Sequence, residues 1–189
     1  KIADAGGTGI AALGVQGEIC CRGYQNMLGY YRMPEATSET IDADGWLHMG
    51  DLGSMDERGF IKVTGRLKDM IVRGGMNIYP REIEELLHGH PAVAEAAVIG
   101  VPDATWGEQI AAIVRPAPGV ARPTPDEMRA YCREQLAAHK APLYWSFVDE
   151  LPSTPTGKVQ KFVLRDQFAA GLLPVEVASS SSSSTAPAT

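Results

Sequence analysis

The chain has 189 residues, 44% hydrophobic and 21% charged, with seventeen basic against twenty-three acidic side chains and a net charge of −6. At about 150 residues per domain, that allows one domain and part of a second, with a core that needs no staples. The acidic balance argues against a broad nucleic-acid or anionic-membrane surface, which needs clustered positive charge, but leaves room for a local phosphate site. No apolar run reaches the ~18 residues of a membrane span, and no secretory signal is visible. The chain opens at Lys1, without methionine, directly into strand-like sequence, as a piece of something longer would.

From Gly17 to Gly65 short strands alternate with turns. GEICCRG and FIKVTG carry β-branched or apolar residues, and Asp44-Gly45 and Arg58-Gly59 mark tight turns. Cys20 and Cys21, adjacent in a strand, point to opposite faces. With Cys132 they read as buried small hydrophobes in a reducing cytosol rather than a disulfide framework. The four histidines have no zinc spacing; His88 and His90 merely flank Gly89 at a helix end. No metal site is expected.

After Gly65 the texture changes. DMIVRGGMNIYP predicts a strand, a Gly-Gly kink and a second short strand. Pro80 opens a helix whose Ile83, Leu86 and Leu87 share a face and which stops at Gly89. VAEAAVIGV and QIAAIVRP are near-continuous apolar strands. Thr124 and Glu127 form a capping box, with Pro125 in the first turn, ahead of a helix carrying Met128, Tyr131, Cys132 and Leu136. WSFV predicts another strand and Val159 to Phe168 an amphipathic helix. The fold class is therefore α+β: a small antiparallel β unit followed by a compact α+β domain. The expected boundaries are 1–65, 66–168 and a disordered serine-rich tail over 169–189.

Three stretches could carry chemistry. Asp51, in Gly50-Asp51-Leu52, is placed to accept hydrogen bonds from a diol, or is an ordinary turn aspartate. Gly65-Arg66-Leu67-Lys68-Asp69 is a charged junction, and Gly74-Gly75 beyond it lets backbone approach a ligand or forms a plain bulge. Pro155-Thr156-Gly157-Lys158 presents a lysine suited to phosphate oxygens, or a solvated loop lysine.

In their order and spacing, GWLHMGDLG, GFIKVTGRLKDMIVRGGMNIYPREIEE and LPSTPTGKVQK resemble the carboxy-terminal portion of AMP-forming acyl-CoA synthetases, of the adenylate-forming superfamily. The resemblance runs from about Gly17 to Phe168. It implies that a carboxylic acid and ATP give an acyl-adenylate and pyrophosphate, and that coenzyme A then displaces AMP. It implies ATP/AMP and coenzyme A as ligands, with Mg2+ accompanying ATP but no ligand for it assignable here. The small 66–168 domain would work against a large amino-terminal domain of which 1–65 is the β-rich end. By the same resemblance Asp51 and Arg66 bind the nucleotide ribose, Lys68 is the hinge, Gly74 and Gly75 line the pantetheine path, and Lys158 is the catalytic lysine of adenylation. Adenylation brings one anion against another, so a positioned ammonium addresses its central difficulty.

Two positions depart from relatives. Asn77 stands where acetyl-CoA synthetases tend to carry arginine, and Val72 where luciferase-type relatives carry lysine; neither role is transferred. The wording is nearer fatty-acyl or aryl ligases, implying fatty-acid metabolism and a cytoplasmic setting. The chain holds no GTTGxPK-like phosphate loop, so the fragment alone is expected to be inactive. Alternatives are a non-catalytic binding module derived from a ligase and a peptide-synthetase adenylation domain; the sequence upstream of Lys1 would separate them.

Overall fold

The computed structural model describes residues 1–4 and 9–179. They fall into two compact units that divide between Met70 and Ile71.

The first unit is a four-stranded antiparallel sheet in the order β1 (Ile2–Ala3), β2 (Gly17–Cys21), β3 (Leu47–Met55) and β4 (Ile61–Arg66). The turns expected at Gly45 and Gly59 are present. Ile2, Ala3, Ile19, Cys20 and Leu52 form its small buried core, while Cys21, on the other face, is half-buried. A short helix α1 (Pro34–Thr40) carries no buried residue. It gave no amphipathic signal because it has no apolar face to bury. A single 3-10 turn, Leu67–Asp69, follows β4.

The second unit opens with the hairpin of β5 (Ile71–Arg73) and β6 (Met76–Ile78), turned at Gly74-Gly75. Helix α2 (Pro80–His88) buries Ile83 and Leu87. Strands β7 (Val93–Asp103) and β8 (Gly107–Pro116) form a long antiparallel pair. Helix α3 (Pro125–Gln135) starts on the expected capping box, in which Thr124 N–H donates to Glu127 Oε2 at 2.7 Å and Glu127 N–H to Thr124 Oγ1 at 3.3 Å. Such a cap is worth about 1 kcal/mol. Strand β9 (Tyr144–Phe147) lies parallel to β8, and helix α4 (Lys161–Ala169) follows.

The apolar runs of β7 and β8 are continuous because both faces of this pair are covered. Ala96, Val98, Ile110, Ala112 and Val114 pack with Ile83, Leu87, Met128, Cys132 and Trp145 in one cluster. The alternate residues Ala97, Ile99, Val101, Ala111 and Ile113 pack with Leu151 and Leu164 in the other. Helices α2 and α3 thus cover one face and α4 the opposite one. Each fully buried Ile or Leu contributes roughly 1.5–3 kcal/mol.

The tail expectation needs correction over 169–179. Val175–Val177 form strand β10, antiparallel to β9. Arg122 pairs with Glu176 at 2.6 Å, and Ser179 donates to Asp126 from its backbone and hydroxyl at 2.6 and 2.9 Å. Sequence composition weighed the serine run and missed the short Val-Glu-Val strand before it. Residues 180–189 lie outside the described residues.

Candidate functional site

Asp51 and Arg66 face each other across β3 and β4, as direct register partners. Arg66 Nε donates to Asp51 Oδ1 at 2.9 Å, with the Arg66 side chain 64% exposed and that of Asp51 24%. Two residues fifteen apart in sequence therefore form one polar group. The guanidinium holds one carboxylate oxygen, and the other is not paired with any described residue.

Asp51 follows Gly50, whose φ of +68° suits glycine. Here the ladder between β2 and β3 is irregular: Glu18 pairs with Leu52, whereas Cys20 pairs with His48. The Glu18 carboxylate accepts from Gly50 N–H at 3.0 Å and from His48 Nδ1 at 2.7 Å. This hydrogen bond raises the His48 pKa above its ordinary value, against partial desolvation. Glu18, Cys20 and His48 also offer a carboxylate, a thiol and an imidazole within 4.8 Å of one another, the one such group among the described residues. Linear spacing could not show it, because His48 is thirty residues from Glu18.

Lys68 is exposed in the centre of the Leu67–Asp69 turn, which is closed by Met70 N–H donating to Leu67 O at 3.3 Å.

Gly74 and Gly75 turn the β5–β6 hairpin with φ of +56° and +78°. Gly74 N–H donates to Trp106 O at 2.8 Å, and a Cβ on Gly74 would sit 2.8 Å from the Trp106 ring. Arg73 stacks its guanidinium 4.8 Å from the same ring and donates from Nε to Gln109 Oε1 at 2.7 Å. Trp106 belongs to no motif singled out in the sequence; it is 44% exposed and forms a wall beside Gly74. A Cβ on Gly75 meets nothing within 4 Å. Gly74→Ala is therefore expected to damage the site through both the ring contact and its backbone torsion, and Gly75→Ala through the torsion alone. Gly74→Ala should lower the melting temperature more than Gly75→Ala; thermal unfolding of the two variants checks the order. The departures Val72 and Asn77 are exposed register partners on β5 and β6.

Lys158 lies on a loop fixed at its base. Thr154 N–H donates to Lys158 O and Gly157 N–H to Thr154 O, both at 2.8 Å, while Lys158 N–H donates to Thr154 Oγ1 at 3.1 Å. An isolated Ser153–Val159 bridge closes the loop. The Lys158 side chain is exposed and its ammonium has no ion partner among the described residues. Lys161, three positions on, is different: its Nζ is 2.7 Å from Glu84 Oε1, and both side chains are 17% exposed. The loop therefore presents one exposed lysine without an ion partner among the described residues, whereas Lys161, at the start of α4, is committed to the fold.

Residues 82–158 match the model of the AMP-binding enzyme C-terminal domain. YngI of Bacillus subtilis (strain 168) is 51% identical over 167 residues, 88% of this chain and 30% of its own length. The mitochondrial medium-chain acyl-CoA ligase ACSF2 of Macaca fascicularis is 48% identical over 159 residues, covering 84% of this chain and 26% of the relative. The crystal structure of ATP-bound MatB from Rhodopseudomonas palustris superposes with a TM-score of 0.82 at 40% identity, over 88% of this chain and 33% of that one. The chain thus spans less than a third of the curated relatives it matches.

Proposed function

We propose, from the premise that this chain corresponds to the carboxy-terminal portion of AMP-forming acyl-CoA synthetases, that it supplies the mobile domain, with the adjoining end of the large domain, of an ATP-dependent acyl-CoA ligase. In the first half-reaction a carboxylate oxygen bonds to the α-phosphorus of ATP, and the bond to the β-phosphate bridge breaks, releasing pyrophosphate. In the second, the coenzyme A sulfur bonds to the acyl carbon and AMP leaves.

The observation that carries this reading is Lys158, an exposed ammonium on a hydrogen-bonded loop with no internal counter-ion. Its role is to neutralise charge where the carboxylate meets the phosphate. Asp51, tethered to Arg66 through one oxygen, keeps the other for a ribose hydroxyl, a charged hydrogen bond of about 1.5–3 kcal/mol. Arg66 completes that nucleotide site. Gly74 and Gly75, with Trp106 beside them, form the wall along which the pantetheine chain passes. Lys68 is the hinge between the 1–65 end of the large domain and the 66–168 mobile domain. Mg2+ would accompany ATP, and no residue here is assigned to it.

The large amino-terminal domain is the expected partner. Tyr24, Leu28, Tyr30, Tyr31 and Met33 are exposed on the first unit, a concentration of apolar surface suited to burial against more protein. The substrate class is a fatty or aryl carboxylic acid, placing the protein in fatty-acid metabolism. A cytoplasmic setting belongs to the same reading, resting on three unbridged cysteines; among the described residues no helix is long and apolar enough to cross a membrane.

The test is ATP–pyrophosphate exchange with a panel of carboxylic acids. The full-length protein should exchange with at least one acid and form its thioester with coenzyme A. The 189-residue chain alone, with no GTTGxPK-like loop, should not rise above a no-enzyme blank. A full-length protein inert toward every acid would refute the ligase reading, and exchange by the chain alone would refute its division of labour.

A further inference from the structure

Asp51 stands where β3 leaves regular pairing. Between the pairs Glu18↔Leu52 and Cys20↔His48, two steps along β2 match four along β3. The surplus of β3 bulges out through Met49, Gly50 and Asp51, and a bulge of this kind re-aims the side chains it carries. On the β2 side the ladder is interrupted here, and Gly50 N–H takes a side-chain partner instead.

Glu18 is that partner. One carboxylate oxygen accepts from the backbone N–H of Gly50, immediately before Asp51, and the other from His48 Nδ1 on the far side of the bulge. His48 is held in turn, its Nε2 3.6 Å from Asp42 Oδ2. Asp42 is itself fixed by the backbone N–H groups of Trp46 and Asp44 at 2.8 and 3.0 Å. These contacts run without a break from the loop before β3 to the residue preceding Asp51. A carboxylate only accepts, so the imidazole donates to Glu18 through Nδ1.

The same atoms are poorly arranged for a metal. Nδ1 and Oε2 face each other at hydrogen-bond distance, with no room for an ion between them. Burial also pushes the Cys20 thiol up, away from the thiolate a metal would take. A hydrogen-bonded brace accounts for the arrangement more completely.

We propose that Glu18, braced by His48, is a positioning residue for the nucleotide: its carboxylate ties the centre of the β3 bulge, at Gly50, to the His48 side chain just before it and so sets the direction in which Asp51 meets the ribose diol. This rests on the reading of Asp51 as a ribose ligand. Asp51 keeps its tether to Arg66 without Glu18, so removing Glu18 changes the aim of the carboxylate rather than its presence.

The experiment compares kcat/KM for ATP with that for 2′,3′-dideoxy-ATP in the full-length protein, as a ratio. The ratio reports recognition of the ribose hydroxyls and is insensitive to the fraction of enzyme that is folded. Wild type should favour ATP by about tenfold or more, the worth of one charged hydrogen bond, and Asp51→Ala should bring the ratio close to one. Glu18→Ala should bring it most of the way down, chiefly through KM for ATP. Glu18→Gln, whose oxygen still accepts from Gly50 N–H and whose amide nitrogen can donate to Nδ1 of a neutral His48 carrying its proton on Nε2 toward Asp42, should retain it. If Glu18→Ala yields no soluble enzyme, Glu18→Asp, one methylene too short to reach both donors, is read the same way.

An unchanged ratio in Asp51→Ala would overturn the ribose reading itself, and the proposal with it. A collapsed ratio in Asp51→Ala beside a wild-type ratio in Glu18→Ala would overturn the clasp alone. A Gln variant as indiscriminate as the Ala variant would also overturn it, because the hydrogen-bond geometry would then not be what matters.

Discussion

Lys158→Ala in the full-length protein is expected to lower acyl-adenylate formation by roughly a thousandfold while leaving most of the rate of thioester formation from supplied acyl-adenylate. An ammonium ~4 Å from a phosphate oxygen, at an effective dielectric constant near 20, contributes about 4 kcal/mol, and each 1.36 kcal/mol is about a factor of ten in rate. The contribution is selective because the charge problem belongs to the first step, where two anions must meet. In the second step a thiol attacks a mixed anhydride whose phosphate charge is already in place. The loop around Lys158 is closed by backbone bonds and by the Thr154 hydroxyl, none of which uses the ammonium. Removing the amine should therefore leave the fold intact. Lys161→Ala is the informative contrast: it leaves Glu84 half-deserted between Val98 N–H and an empty position, so it should lower stability and spare the difference between half-reactions. Rapid-quench measurement of adenylate, alongside thioester synthesis from isolated acyl-adenylate, separates the cases. Equal loss in both half-reactions for Lys158→Ala would make this lysine structural.

How much of this was legible in the sequence depended on how far apart the interacting residues lie. The α3 capping box was readable because Thr124 and Glu127 are three apart and the hydrogen bonds are local. The β7 and β8 runs were readable as strands, since a continuous apolar stretch of that length suits a sheet covered on both sides. Their neighbours were less accessible: the parallel alignment of β9 beside β8, and the addition of β10, depend on contacts that no local period encodes. The candidate site divides the same way. The positions of Asp51, Arg66 and Lys158 could be matched to motifs, but their surroundings could not. The pairing of Asp51 with Arg66 follows from register across a turn. The brace from Glu18 to Gly50 and His48 joins residues about thirty apart through a bulge. Trp106 meets Gly74 only because β5 reaches β8 at the pair Arg73↔Gly107. Each is set by strand pairing, whose register the sequence constrains only through which face is buried. In the thinly buried first unit that constraint is weak.

The second large effect concerns the junction rather than a ligand. Lys68→Pro is expected to leave adenylation near normal and to suppress transfer to coenzyme A, whereas Lys68→Ala should be mild in both. Between the end of β4 at Arg66 and the start of β5 at Ile71 the chain makes one 3-10 turn. A large change of orientation at such a junction has to be absorbed by a few backbone torsions. Lys68 sits mid-turn with its side chain exposed, so truncating it removes little that the fold uses. Proline acts differently. It fixes φ near −65°, within the range of a 3-10 turn, and it narrows the torsions of the preceding residue, Leu67. The hydrogen bond that closes this turn, from Met70 N–H to Leu67 O, involves no atom that proline removes. The substitution thus leaves the closing hydrogen bond in place and stiffens the junction, at a cost at Leu67, whose helical torsions a following proline disfavours. A stiffened junction should penalise the step that requires reorientation, which on the proposed reading is the second half-reaction. Both half-reactions are to be measured separately for both variants, as for Lys158. Normal thioester synthesis by the proline variant would move the pivot away from Lys68. An alanine variant as impaired as the proline one would mean that the ammonium, not the torsion, carries the role.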